Sequence, residues 1–146
     1  MSDSTLPALG ILNSVSQSAR DALYSFGQAI EHLRGSTILE QGAPAAGLHF
    51  VVSGELAVVL ESADELKPLG YVEAGETVGE MGFLEEEAIA SARVNARTNS
   101  IVWSISRDAF ESFLQSNPVA GCEILKALLQ IAGRRARKGN ERLAEE

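Results

Sequence analysis

The residues of this chain that could do chemistry lie together between Val78 and Ala96, in the stretch VGEMGFLEEEAIASARVNA. Gly79 and Glu80 stand near its beginning, and Arg93 stands near its end. A glycine turn can offer backbone amides to an anion, while one carboxylate and one cation hold the rest of a small ligand. These residue types therefore indicate a binding site for a small anionic molecule. The candidate ligand-binding residues are Gly79, Glu80, Met81, Ser91, Ala92 and Arg93.

Several of these side chains also have a purely structural interpretation. Glu80 can be satisfied by backbone amides of its own turn, and Ser91 can cap the start of a strand. The run Glu85–Glu87 is typical of a solvated loop or a helix N-terminus, and no histidine or aspartate close in sequence makes it a metal site. The structural interpretation is the commoner one for such residues, so both interpretations stay open here.

The other reactive side chains are few and isolated. His32 and His49 cannot supply the three histidines and one glutamate that a catalytic metal-binding barrel needs. Cys122 lies on an apolar helical face, which predicts a buried small hydrophobe. No nucleophile-elbow, P-loop or paired-cysteine zinc pattern occurs. We therefore expect no enzyme and no metal site, with a cupin-like metal enzyme as the weakest alternative.

Composition limits the class of protein. With 146 residues, 45% of them hydrophobic, the chain can bury one core, so a single domain is expected. The net charge of −8 opposes nucleic-acid binding, and the single cysteine fits a reducing compartment. No signal-peptide pattern and no apolar run of about 18 residues occurs, so we expect a cytoplasmic protein and no membrane contact.

Short β-like runs must position the site, because they dominate the middle of the chain. In Leu48–Leu60, two apolar runs join at Ser53-Gly54, which predicts a tight reversal between paired strands. Strands at intervals of about 8–12 residues, separated by glycines, predict a barrel or sandwich. The remaining runs are Ile30–Arg34, Thr37–Leu39, Leu66–Glu73 and Ile101–Ile105.

Helices are predicted at both ends of the chain. Ser16 or Ser18 can cap the first, and Ser106 can cap the second. Asn117 and Pro118 predict the start of a longer third helix. Its predicted apolar face consists of Cys122, Leu125, Leu128, Leu129 and Ala132.

This order of elements resembles the cyclic-nucleotide-binding domain of catabolite-activator transcription factors and of kinase regulatory subunits. The resemblance covers roughly residues 6 to 140. It implies a mainly β fold with flanking helices, a β-barrel or double-stranded β-helix (jelly roll) of about eight strands, with one N-terminal and two C-terminal helices. The matching positions are Gly35, Ile38 and Gly42, the runs LHFVVSGE at 48–55 and GETVGE at 75–80, and RDAF at 107–110.

The resemblance also implies an organisation. We expect one domain over residues 1–146, with the barrel at about 29–106 and the C-terminal helices at about 107–140. In catabolite activators the last helix dimerises and a helix-turn-helix domain follows it; here the sequence stops at Glu146. We therefore expect a homodimer through this helix, no helix-turn-helix domain and no DNA binding by this chain alone. The basic run Arg134–Lys138 could face an acidic protein partner or a second copy.

The ligand site departs from the family pattern in its phosphate-binding cassette, which here spans residues 79–93. In the family a glutamate, matched by Glu80, accepts a hydrogen bond from the ribose 2′-hydroxyl, and an arginine holds the cyclic phosphate. Alignment on Ala92 places Ala90 at that arginine and Arg93 at a later serine or threonine position. Arg93 is an odd number of residues from Ala90, so a regular strand would point it to the opposite face.

Losing a charge-assisted bond of about 1.5–3 kcal/mol weakens binding roughly ten- to hundredfold. We therefore expect a stand-alone regulatory or interaction module that binds ordinary cyclic AMP or cyclic GMP weakly or not at all. No cofactor is certain, and cyclic AMP is the candidate ligand. The alternative is a genuine sensor of a cyclic nucleotide or another nucleotide, which uses Glu80 and takes its cation from Arg93 or Arg97.

Overall fold

Eight strands and three α-helices form the part of the chain described by this computed structural model, which is residues 5–45, 47–79 and 89–145. The strands are β1 (Gln28–His32), β2 (Thr37–Leu39), β3 (Gly47–Ser53), β4 (Glu55–Ser62), β5 (Glu65–Glu73), β6 (Thr77–Val78), β7 (Arg93–Ala96) and β8 (Ser100–Ser106). The helices are a short 3₁₀ helix (Gly10–Leu12), α1 (Gln17–Tyr24), α2 (Arg107–Ser116) and α3 (Pro118–Glu145). The predicted fold class is confirmed.

The strands form two antiparallel four-stranded sheets, in the orders β1-β8-β3-β6 and β2-β7-β4-β5. Strands β3 and β4 are joined at Gly54, as the sequence predicts. Gly54 has a φ of +91°, and a Cβ there would lie 2.2 Å from the hydroxyl oxygen of Ser100. Only glycine fits this reversal, because both the backbone conformation and the space exclude a side chain.

Alternation along the strands divides the apolar residues between two cores. On β3, Phe50 faces a core shared with the helices, whereas Val51 faces a core inside the barrel. Each such fully buried side chain stabilises the fold by about 1.5–3 kcal/mol. The helical core includes Leu23, Trp103, Phe110, Phe113, Ile124 and Leu128, and the barrel core includes Leu56, Val72, Val78, Val94, Ala96 and Val102.

The helix caps follow the predicted serines. The hydroxyl of Ser16 accepts from the Ala19 amide at 3.3 Å, and the hydroxyl of Ser106 accepts from the Ala109 amide at 3.1 Å. Ser16 also donates its amide (3.0 Å) and its hydroxyl (2.8 Å) to the carboxylate of Glu123, which lowers the pKa of that carboxyl. The first turn of α1 is thereby attached to α3.

Helix α3 differs from the prediction in the face that it buries. Ile124, Ala127, Leu128 and Ile131 pack inward, while Cys122 is exposed, so its predicted burial is wrong. The helix has apolar residues on both sides, and periodicity alone could not tell which side the barrel covers. The helix also continues to Glu145, beyond its predicted end near residue 140. Among the described helices, none has the length and apolarity needed to cross a membrane.

Candidate functional site

A cavity of about 340 Å³ opens between the barrel core, the two ends of the cassette, and helix α3. Strands β2, β4, β5, β6 and β7 contribute aliphatic walls, and one side chain reaches in from α3. The described residues that line the cavity are Leu39, Ala45, Val58, Val72, Thr77, Val78, Gly79, Ile89, Ala90, Ser91, Ala92, Val94 and Arg135.

Gly79 lines the cavity where the chain leaves β6. Its φ is +86°, and a Cβ at this position would lie 2.6 Å from the carbonyl oxygen of Gly47. A side chain would therefore strain the turn and collide with β3. The sequence predicts a turn at this glycine, and the structure places that turn at the rim of the cavity.

Ser91 and Ala92 also line the cavity, with Ser91 exposed and Ala92 buried. Arg93, the next residue, does not line it. The guanidinium of Arg93 lies 3.7 Å from the carboxylate of Glu61, and Arg93 pairs with Val59 in the ladder between β7 and β4. Within β7 the side chain of Arg93 alternates with that of Val94, which lines the cavity, so Arg93 lies on the other face.

Arg97, the second candidate cation, also lies away from the cavity. Its guanidinium forms an ion pair with Glu55 and lies 4.4 Å from the ring centroid of Tyr71. The hydrogen bond from Arg97 to Glu55 raises the pKa of the arginine. Neither candidate arginine from the second half of the barrel therefore contributes to the cavity wall.

Ala90 occupies the wall position at which the sequence alignment expects an arginine. The residue is only 6% exposed and lines the cavity. Its carbonyl accepts from the Gly42 amide at 2.8 Å, and its amide donates to the Ala43 carbonyl at 2.9 Å. The backbone is thus held on both sides, and the side chain that it presents is a methyl group.

Glu80 and Met81, together with Glu85–Glu87, lie outside the described residues. Their predicted roles stay predictions. The same holds for the ligand-binding roles of Gly79, Ser91, Ala92 and Arg93, although the first three share one cavity and the fourth does not.

Arg135 of α3 is a cavity residue that sequence reasoning missed. Its Nη2 donates to the Thr77 carbonyl oxygen at 3.0 Å. The residue as a whole is exposed on α3, but burial of its guanidinium end lowers its pKa, an effect that Glu76 opposes. Arg135 follows the buried residues Ile124, Leu128 and Ile131 at intervals of three and four residues, which places it on the inward face of α3. This periodicity is the sequence signal that could have identified it.

A second cavity of about 310 Å³ lies on the other side of Arg135. Its lining includes the 3₁₀ helix, the turn between β5 and β6, and both Arg134 and Arg135. The Ile11 amide donates to the Gly75 carbonyl at 3.1 Å and holds these two segments together. Arg135 and Thr77 border both cavities, whereas Arg134 borders only this one.

His49 lies behind the Gly79 turn. Its Nδ1 is 2.7 Å from the hydroxyl oxygen of Ser104 across the β3–β8 ladder. Burial, and secondarily the charge of His32, lowers the pKa of His49, so its ring is held neutral at pH 7. Within the described ranges, no group of three histidine, cysteine, aspartate or glutamate side chains could hold a metal ion.

Comparison with known proteins agrees with this geometry. Residues 30–117 match a family described as the cyclic nucleotide-binding domain. The cAMP-activated global transcriptional regulator CRP of Salmonella typhimurium is 33% identical over 109 residues, which are 74% of this chain and 50% of that protein. The chain thus spans about half the length of that regulator.

Two further matches cover nearly the whole chain. The CRP-like cAMP-activated global transcriptional regulator of Mycobacterium tuberculosis is 28% identical over 144 residues, which are 98% of this chain and 62% of that protein. A crystal structure of a cyclic nucleotide-binding domain from Methylobacillus flagellatus superposes with a TM-score of 0.79 at 27% identity, covering 89% of this chain and 73% of that one.

Proposed function

This chain belongs to the cyclic nucleotide-binding domain family, and from that premise we propose that it is a regulatory and interaction module that binds ordinary cyclic AMP or cyclic GMP weakly or not at all. The observation that carries the proposal is Ala90. It lies buried in the cavity wall at the position where the family pattern expects an arginine. Its methyl group can neither neutralise nor hydrogen-bond a cyclic phosphate.

The other barrel arginines do not replace this charge. Arg93 is directed to Glu61, and Arg97 is directed to Glu55 and Tyr71. For either to reach the cavity, a side chain would have to leave its carboxylate partner and cross to the other face of the sheet. A missing charge-assisted bond corresponds to about ten- to hundredfold in affinity, which would raise a dissociation constant of about 1 μM to about 10–100 μM.

The interaction surface that we propose is the outer face of α3, which would pair with α3 of a second copy. Leu129 is 64% exposed and Val119 is 80% exposed, and Cys122 lies between them on the same side. Burying these side chains against an identical face would form a two-fold symmetric dimer. The exposed apolar residues have no function in the packing of the single chain, and this is the support for the dimer.

The proposal includes no catalytic step and no DNA contact by this chain, since a net charge of −8 opposes the approach of a polyanion. It treats residues 1–146 as one domain that acts in the cytoplasm by changing its contacts with protein partners. The basic run at the end of α3, which begins at Arg134, is the part of the chain best suited to an acidic partner.

Isothermal titration calorimetry with cyclic AMP and cyclic GMP tests the proposal on the full chain. We expect no saturable heat at ligand concentrations that saturate an ordinary cyclic-nucleotide sensor. A dissociation constant in the low micromolar range for either nucleotide would refute it. Light scattering at high protein concentration tests the dimer separately, because a mass equal to one chain contradicts it.

A further inference from the structure

Arg135 gives the cavity a cation on a different wall from the cassette. We infer that the cavity takes a small organic anion with one charged head, a carboxylate or a phosphate, on an apolar body, and that the head binds to Arg135 at the α3 end. The inference rests on the proposed function, because it assigns a ligand to a cavity that we propose binds ordinary cyclic nucleotides weakly or not at all.

The walls of the cavity match an apolar body. Nine of its thirteen described lining residues carry aliphatic side chains, and the polar side chains among the thirteen are those of Thr77, Ser91 and Arg135. The volume of about 340 Å³ is at the small end of the range for ligand sites, about 300–1,000 Å³. A ligand rich in hydroxyl and amide groups would leave polar atoms without partners along the aliphatic walls, which costs affinity. A hydrocarbon body does not have this cost.

The electrostatics of Arg135 match an anionic head. Its guanidinium end is partly buried, and this burial penalises the charged form, as the lowered pKa shows. Glu76 offsets part of the penalty. An anion within the cavity would offset more, because opposite charges attract more strongly where water is excluded. The planar fork of the guanidinium also suits the two oxygens of a carboxylate or phosphate.

The position of Arg135 also favours a head at this end of the cavity. Its bond to the Thr77 carbonyl at 3.0 Å fixes the guanidinium at the junction between α3 and β6. Ala90 and Ala92 present only methyl groups on the cassette wall of the same cavity. The charge of a ligand is therefore drawn towards α3, and its apolar part lies along the barrel wall.

The test uses three probes with the same hydrocarbon chain and different heads: octanoate, octyl phosphate and neutral octanamide. Binding is measured by calorimetry and by the ligand-induced rise in melting temperature of the full chain. We expect at least one anionic probe to bind about tenfold or more tightly than octanamide. Comparing octanoate with octyl phosphate identifies the preferred head.

Three variants test whether the preference for an anionic head depends on Arg135. Arg135→Gln should remove the preference for the anionic probes. Arg134→Gln changes the neighbouring residue and alters the net charge by the same amount, but it should keep the preference. Arg135→Lys should retain part of the preference, because it keeps the charge without the fork. Circular dichroism spectra and melting temperatures of the free variants check that each one folds.

The outcomes separate the two proposals. Equal affinity for octanamide and for both anions overturns the inference, and so does an equal loss in Arg135→Gln and Arg134→Gln. Low-micromolar binding of cyclic AMP to the wild-type chain overturns the proposed function, whatever the octanoate result. An anion preference that depends on Arg135, together with weak cyclic AMP binding, supports both.

Discussion

His49 Nδ1 and the Ser104 hydroxyl oxygen lie 2.7 Å apart, on directly opposed residues of strands β3 and β8. The same imidazole lies close to the turn at Gly79, since a Cβ added to that glycine would lie 3.6 Å from its Cδ2. His49 therefore lies between the sheet and the turn that borders the cavity.

Acidification should destabilise the fold through His49. Burial and His32 lower its folded-state pKa below the ordinary value of 6.5, so the unfolded chain takes up a proton first. The contribution of His49 to the free energy of unfolding is then fully present above pH 6.5, and it is lost as the pH falls from there towards the folded-state pKa. Urea denaturation at about pH 7.5 and about pH 5.5 measures the loss. His49→Asn should reduce this pH dependence and His32→Asn should reduce it less; equal slopes in all three proteins would contradict the assignment.

Gly79→Ala should destabilise the protein more than Gly35→Ala. Both glycines have a positive φ, +86° and +88°, so each substitution costs about 1–2 kcal/mol in backbone strain. A Cβ at Gly79 also meets the Gly47 carbonyl oxygen at 2.6 Å, whereas a Cβ at Gly35 meets no atom within 4 Å. Urea denaturation at neutral pH gives the two losses. If they are equal, the close contact at Gly79 relaxes without cost.

Ala90→Arg should create affinity for cyclic AMP. The new side chain would enter the cavity from a backbone that Gly42 and Ala43 already hold, and it would supply the absent charge. We expect a gain of about ten- to hundredfold in affinity by calorimetry. Ala90→Gln adds a polar side chain without the charge and is the control. If both variants bind cyclic AMP as the wild type does, the missing arginine is not what limits the site.

Arg93→Ala should change little. The Arg93–Glu61 pair is partly exposed, with side-chain exposures of 24% and 38%, and such pairs contribute less than about 1 kcal/mol. The Nε of Arg93 is buried without a hydrogen-bond partner in the described part of the chain. Removing this buried polar atom offsets some of the stability lost with the ion pair. Any change in melting temperature that a high concentration of cyclic AMP causes in the wild type should also be unchanged in Arg93→Ala and in Arg97→Ala. Loss of the shift in either variant would revive the sensor that takes its cation from the barrel.

Leu129→Glu should dissociate the proposed dimer. Leu129 is 64% exposed on the outer face of α3, so the charge would be tolerated in the single chain but would be buried in the interface. Size-exclusion chromatography with light scattering reports the change. Leu66→Glu is a matched control, since Leu66 is 58% exposed on β5, away from α3. A dimer that survives Leu129→Glu would have to use another surface.

The sequence predicts the β-rich fold well because glycines, alternation and caps act locally. Ser16 and Ser106 cap the helices as expected, and the reversal at Gly54 falls where two apolar runs meet. The inward face of α3 could not be predicted in the same way. Its apolar residues surround the helix, and the choice between Ile124 and Cys122 depends on which side the barrel covers.

Only the part of the candidate site that comes from one continuous stretch of sequence, around Gly79 and Ser91, could be predicted. Arg93 lies outside the cavity, but Ala90–Ala92 precede β7 and all three line the cavity, so the alternation predicted from Ala90 holds only from Arg93 onwards. Arg135 is more than 40 residues from the cassette, and only the packing of α3 against β6 brings it to the cavity. Helical periodicity can group Arg135 with Ile124, Leu128 and Ile131, but local spacing cannot show that β6 and the cavity lie opposite this face.

The two cores imply two levels of cooperativity. The helical core joins α1, α2 and α3, and the bonds from Ser16 to Glu123 connect its first and last helices directly. The barrel core is separate and borders the cavity. In native-state hydrogen exchange, amides of the helical layer should open together as one unit, and those of β4 and β7 as another. The bond from Arg135 to Thr77 connects α3 with β6, whose Val78 belongs to the barrel core, so breaking it should bring the opening free energies of the two units further apart.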